Sequence, residues 1–424
     1  MSDRILRGAF GALLFIGTLV GCTESVTSTL GCPELCSDQS AALRDTILVG
    51  SVAIDTTFLG YPRRGEDRNV TLRNQTDTAD IRLVARYDSL PSSYQLTGAT
   101  SDSTIRLVDS AQFIFVIDTL TTKPTAPITI EAFDVDTTSA DTLTSALIPL
   151  FRSGRLIGSQ TYLAADFTTD TIRLPLNNAA VFAKVRDTLR LRIGLRVTGL
   201  GNAQLRVLGN SFIPRLRMRV SADTTVQAVS LLPRSKTPTD DQTTANSLVF
   251  FPLIVAGGQP APPPGMFTIG GIAGARTYIR FDIPTTVLDS VQVIRASLLL
   301  TQAPARGTAA VADSVTIFTA PVLASPSITD ILTASSFVGS TRGYGIDSVR
   351  FSPRGSGVRS IELVNLLRFW RDVGTTNTSR SIVLSALEEG SSPGEANFYS
   401  SEAAAALRPR LRLTFVPRRG FGIP

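Results

Sequence analysis

The chain has 424 residues, a formal net charge of +6 and no histidine. Hydrophobic residues make up 43% and charged residues 18%, the balance of a folded chain and not of a disordered one. Without histidine there is no Ser-His-Asp or Cys-His arrangement, and the modest positive charge, borne almost wholly by arginine, contains no basic block of the kind that nucleic-acid binding uses.

Arg4 and Arg7 precede an apolar run from Ala9 to Gly21. The run is about a dozen residues, well short of the roughly 20 that a membrane-spanning helix needs, and it has the layout of a bacterial export signal. It closes on Leu19-Val20-Gly21-Cys22, which resembles the lipobox of bacterial lipoproteins. The resemblance implies cleavage before Cys22 and acylation of Cys22 by more than one chain, which holds a protein stably at a membrane where a single chain does not. Thr23 stands where lipoproteins retained at the inner membrane commonly carry Asp, so an outer-membrane lipoprotein with a periplasmic or surface-exposed ectodomain is implied. Residues 1–21 then form the signal peptide and 22–44, polar and without a sustained period, a lipid-anchored tether. Cys32 and Cys36 are the remaining thiols. In an oxidising envelope they suit a small disulfide loop; a redox or metal role is the alternative, with no histidine to complete a ligand set.

From residue 45 onward the sequence alternates. "TIRLVDSAQFIFVI", "DTLRLRIGLRV", "RLRMRV", "YIRFDI" and "RLRLTF" place apolar residues at every second position, the mark of half-buried strands, with Asp, Gly, Pro and Ser between them. Five stretches recur in order at offsets near 185 to 195, among them "RLVARYD" with "TYIRFD" and "FIPRLRMRV" with "LRPRLRLTF". This is the signature of a duplicated unit. The spacing predicts an all-β chain of two tandem jelly-roll-like β-sandwich domains, a diverged copy at 45–223 and a second at 243–417, with a polar linker at 224–242 and a tail at 418–424. In "LVNLLRFWRDV", Leu363, Leu366, Leu367 and Trp370 recur at helical spacing, so a short helix over the core is expected there, with a sugar-stacking Trp370 as the alternative.

"TYIRFDIP" at 277–284, "IRASLLLTQ" at 294–302, "SIELVNLLRFWRD" at 360–372 and "ANFYSSEAAAALRPRLRLTF" at 396–415 resemble the DNRLRE-type domain of bacterial exported proteins, which is related to carbohydrate-binding module family 96. The resemblance covers most of the second copy; the first lacks the "FYSSE" segment and the tryptophan. It implies a β-sandwich and, for some relatives, binding of polysaccharides such as alginate.

The scattered carboxylates, and the absence of Walker, GxSxG and dinucleotide motifs, point away from an enzyme. Asp134, Asp136 and Asp141 in "DVDTTSAD" are oxygen donors of the kind calcium prefers, and are either a structural calcium site or solvated turn carboxylates. Arg86 with Asp88, and Arg280 with Asp282, share an R-[YF]-D pattern and are read as structural, each pair bridging locally or supporting a neighbouring loop. Arginines alternate along strands: Arg190, Arg192, Arg215, Arg217 and Arg219 in the first copy, Arg410 and Arg412 in the second. Aligned on paired strands they form a stripe able to hold carboxylated sugars by bidentate contacts; the alternative is a solvated face that blunts a sheet edge. The expectation is a non-catalytic, lipid-anchored cell-envelope protein acting as a binding or surface-display module for polysaccharide, acidic polysaccharide included, with Arg215, Arg217, Arg410 and Arg412 as ligand contacts. The alternative is a structural or adhesive envelope subunit contacting protein partners.

Overall fold

Period-two patterning drives much of this chain into strands, since it buries every second side chain on one face of a sheet. The computed structural model describes residues 43–75, 79–96, 100–120, 124–200, 203–239, 244–256, 261–307, 314–323, 338, 346–372 and 380–417. The expected signal, Cys22, Cys32, Cys36 and the tail at 418–424 lie outside the described residues. In chain order the strands are β1 Arg44–Leu48, β2 Val52–Phe58, β3 Asn69–Gln75, β4 Ala79–Tyr87, β5 Ser93–Gln95, β6 Asp102–Thr104, β7 Ser110–Val116, β8 Ile128–Asp134, β9 Leu156–Tyr162, β10 Thr171–Leu176, β11 Leu191–Gly199 and β12 Ala203–Leu208. They continue with β13 Arg215–Arg219, β14 Val229–Leu231, β15 Phe250–Ala256, β16 Met266–Gly270, β17 Arg276–Phe281, β18 Val291–Ala303, β19 Val315–Val322, β20 Val349–Phe351, β21 Gly357–Glu362, β22 Ser381–Ala386, β23 Glu395–Tyr399 and β24 Arg410–Pro417. The all-β expectation holds, and the strand pairings between these elements are antiparallel.

Four sheets enclose two large apolar cores. The first lies between a seven-stranded sheet, ordered β12-β3-β4-β11-β8-β9 with β15 also on β4, and a four-stranded sheet, β10-β7-β13-β14. The second lies between a six-stranded sheet, β1-β24-β18-β23-β16 with β21 also on β18, and a five-stranded sheet, β2-β17-β22-β19-β20. These are the first and second bodies below. The repeat seen in the sequence is repeated in the pairing: Phe113 faces Leu216 and Ala111 faces Met218, as Leu298 faces Leu411 and Ala296 faces Leu413. A nine-residue helix follows β10 in one body (Asn178–Arg186) and β21 in the other (Val364–Asp372). Asn177 opens the former by accepting from the Ala180 N–H at 3.1 Å, satisfying a donor that a helix start leaves free. In the latter Leu366, Leu367 and Trp370 face the core; Trp370 is 2% exposed, with its ring 5.6 Å from Phe281.

The expected copy boundaries need correcting, because each copy's opening strands complete the other body. β1 pairs with β24 and β2 with β17, so residues 44–58 belong to the second body. β14, inside the expected linker at 224–242, pairs with β13, and β15 pairs with β4, so both belong to the first. The exchange is reciprocal to the residue. Aligning Arg86 with Arg280 makes Ala85 equivalent to Ile279; Ala85 faces Phe250 and Ile279 faces Asp55, then Val84 faces Phe251 and Tyr278 faces Thr56. The side chains suit these crossed places. Phe250, Phe251 and Leu253 are buried, while Asp55 accepts from the Ser401 N–H at 2.6 Å and the Ser401 hydroxyl at 3.1 Å. The first body is consequently one continuous stretch, with the second assembled around it from both ends of the described chain.

Candidate ligand-binding site

The four-stranded sheet of the first body turns one face to its core and one outward. On β13, Leu216 and Met218 are buried, Arg215 and Arg217 are exposed and Arg219 is half-buried. Pairing sets Arg215 beside Ile114 and Arg217 beside Gln112 on β7; on β10, Arg173 comes beside the same Ile114. The face therefore carries Arg173, Arg215, Arg217 and Arg219, and among the described residues none of the four forms an ion pair. Beside Arg215 and Arg217 lies a depression of ≈ 320 Å³ floored by Ile114 and Val116, with Thr171 and Ser230 supplying hydroxyls and Phe212 an aromatic wall. Phe212 is 54% exposed. The turn that presents it is pinned by the Gly209 N–H to Arg68 O (2.8 Å), the Asn210 N–H to Asp67 O (2.8 Å) and the Phe212 N–H to Gly209 O (3.1 Å). A Cβ on Gly209 would lie 1.9 Å from Asp67 O, so glycine is required for that approach.

The equivalent face of the second body is electrostatically different. Arg412 donates to the Asp45 carboxylate on β1 (2.9 Å), and Arg295 to Glu362 (2.9 Å). The Arg412 hydrogen bond holds the Asp45 carboxyl below the usual carboxylate range. A depression of ≈ 270 Å³ here is lined by Arg295, Arg359 and Arg412 with Ser297 and Thr414, and carries no aromatic. Arg410 lies outside that lining and is half-buried. Of the four arginines expected to contact ligand, Arg215 and Arg217 are thus free to meet an anion, and Arg412 is already occupied.

Among the described residues no group of three or more acidic, cysteine or histidine side chains, Asp134, Asp136 and Asp141 included, is placed to hold a metal. Cations take their place. Lys184 pairs with Asp134 (2.9 Å), Arg190 with Asp136 (2.6 Å), and Arg86 and Arg192 with Asp141 (2.7 and 3.0 Å). Arg155 donates to the Asp134 and Asp136 carbonyls, both at 3.0 Å. Arg190 and Arg192 therefore belong to this network and not to the ligand face. Asp141 and Arg192 have side chains 0% exposed, and burial pulls the Arg192 guanidinium below its ordinary pKa. Arg86 also grips Asp88 at 2.6 Å, the expected local bridge, whereas Arg280 and Asp282 form no ion pair among the described residues.

Sequence reading passed over a second polar cluster, at the crossing between the bodies. Glu389 is buried against Arg276; the Arg276 guanidinium stacks 4.1 Å from the Tyr61 ring, and the Tyr61 and Tyr278 hydroxyls are 2.9 Å apart. Burial pushes the Glu389 carboxyl above its usual range, and the Arg276 charge opposes that rise. Glu388 pairs with Arg206 and accepts from Asn69 at 3.2 Å. These groups satisfy one another, as buried polar atoms between packed bodies must. Their partners are more than 100 residues apart in sequence, so no local pattern signals them.

No family model matches the chain, and no curated protein matches it. Among solved structures it is similar to Broad Bean Stain Virus at 8% identity, covering 83% of this chain and 92% of that one, with a TM-score of 0.18. It is also similar to the T13 IBDV viral particle at 11% identity, covering 87% and 75%, with a TM-score of 0.16. A third similarity, at 8% identity, covering 87% and 39% with a TM-score of 0.15, is to the M60 catalytic domain with two CBM51 domains from Clostridium perfringens ZmpB. At such TM-scores these likenesses carry no argument about this chain.

Proposed function

We propose that this chain is a non-catalytic, lipid-anchored envelope protein of the outer membrane that binds acidic polysaccharide on the four-stranded sheet of its first body. The observation that carries the reading is the outward face with Arg173, Arg215, Arg217 and Arg219, none in an ion pair among the described residues, next to a depression walled by Phe212. A planar guanidinium meets a carboxylate through two parallel hydrogen bonds, so free arginines in a row suit a polymer carrying repeated carboxylates. The resemblance of residues 277–415 to DNRLRE-type domains supports polysaccharide as the ligand class. The lipobox-like Leu19–Cys22 supports the membrane attachment, and among the described residues no helix is long and apolar enough to cross a membrane.

A pull-down of the purified Cys22→Ser chain with alginate tests the binding. Arg215→Ala with Arg217→Ala is expected to weaken it roughly tenfold, at about 0.5–1 kcal/mol for each exposed charge pair, and added salt to weaken it further. Arg410→Ala with Arg412→Ala is expected to cost less, because Arg412 already serves Asp45. Absence of binding by the unmutated face rejects the reading. The second reading, a structural or adhesive subunit, is favoured by the second body, whose face pairs Arg412 and Arg295 with acids; a crosslinked envelope protein with no glycan binding supports it.

Attachment has a separate test. Cys22→Ser is expected to move the protein from the membrane fraction to the soluble fraction, and unchanged fractionation counts against acylation.

A further inference from the structure

The Phe212 depression is not the sole hollow at β13. Ile213, Arg215 and Arg217 line it at the start of the strand, and just past the other end Val220 and Ser221 line a second depression of ≈ 340 Å³. Its remaining walls are Tyr94 on β5, Ser103 and Thr104 on β6, and Arg106 with Leu107 on the segment leading into β7. Arg219 sits between the two, on the strand that joins them. The segment that carries Arg106 is tied to β13 by the Asp109 N–H to Arg219 O at 2.8 Å. Arg106 is exposed and, like the β13 arginines, forms no ion pair among the described residues.

Resting on the function proposed above, we propose that these two depressions and the β13 arginines form one extended site that holds the interior of a linear acidic polysaccharide chain. At about 3.3 Å per residue, Ile213 to Ser221 spans roughly 25 Å, several times the reach of one hollow. Both ends join an aromatic ring, hydroxyls and a guanidinium, the groups that meet the apolar face, the hydroxyl edge and the carboxylate of an acidic sugar. The middle offers charge without a wall, which suits a chain passing through and not a terminus held in a closed pocket. Arg106, Tyr94 and Phe212 become ligand contacts on this reading, and binding gains with length because each further contact on a tethered chain is intramolecular.

Titrating the Cys22→Ser chain with oligogalacturonates from two to twelve residues, wild type against Arg106→Ala, tests this. Affinity of the wild type is expected to climb with length and to level off once the oligomer spans both depressions. Arg106→Ala is expected to weaken the longest oligomer about fivefold and to flatten the climb of affinity with length. Arg106 is solvent-exposed, so its loss leaves the core intact. Equal affinity for dimer and dodecamer overturns the extended site, and so does an Arg106→Ala chain that binds every length as the wild type does. In both outcomes short oligomers still bind and the proposed function stands; a wild type that binds no length removes that function along with this inference.

Discussion

A fragment of Arg63–Ala256 is expected to fold cooperatively by itself, and a fragment of 45–223, the unit that the repeat suggests, is not. The first contains every strand of the first body. The second loses Val249, Phe250, Phe251 and Leu253, all buried. At about 1.5–3 kcal/mol for each buried large apolar side chain, the loss is on the order of the whole stability of a typical domain, about 5–15 kcal/mol. It also strips the outer side of β4, where Val84, Phe133, Val135, Leu147 and Phe151 form a smaller core with Val249, Phe251 and Leu253. β2 is still present in the failing fragment and has the matching register, but it would set Asp55 and Thr56 where Phe250 and Phe251 sit. Urea titrations followed by circular dichroism distinguish the outcomes; a sharp transition from 45–223 comparable to that of Arg63–Ala256 contradicts the exchange.

Asp141→Ala is expected to be the most damaging point substitution in the first body, at about 3–5 kcal/mol, because it leaves the buried Arg192 charge without its carboxylate. Among the described residues Arg192 Nε and Nη1 have no hydrogen-bond partner, and Nη2 is left with a 3.4 Å contact to the Ser139 carbonyl. Arg86 keeps Asp88. Replacing both members, Asp141→Ala with Arg192→Met, is expected to cost less than Asp141→Ala alone, since an apolar pair needs no solvation. A denaturation midpoint for the single variant within experimental error of wild type refutes this account.

What was legible in the sequence was what lies within a few residues. Alternation around Leu216 and Met218, and around Leu411 and Leu413, marked strands and their buried faces, and the spacing of Leu363, Leu366, Leu367 and Trp370 marked the helix. Partner choice was not local. Nothing in "VAIDTTF" says that it pairs 220 residues away, because a strand's own pattern specifies its faces and not its neighbour. The contrast of Asp55 with Phe250 at equivalent places was the available clue. "DVDTTSAD" resembled a metal loop for the same reason: Arg86, Arg155, Lys184, Arg190 and Arg192 arrive from four other segments. Phe212 carried no periodic signal, since it owes its exposure to a turn held by the distant Asp67 and Arg68.

The crossed pairing also orders events in time. Arg412 and Asp45 are 367 residues apart, so a chain synthesised from its amino end delivers β1 and β2 long before β17 and β24 exist to receive them. The first body can close once residue 256 has emerged, while the second waits for nearly the entire polypeptide. Until then β1 and β2 stand without their partner strands, two unpaired edges open to whatever the nascent protein meets.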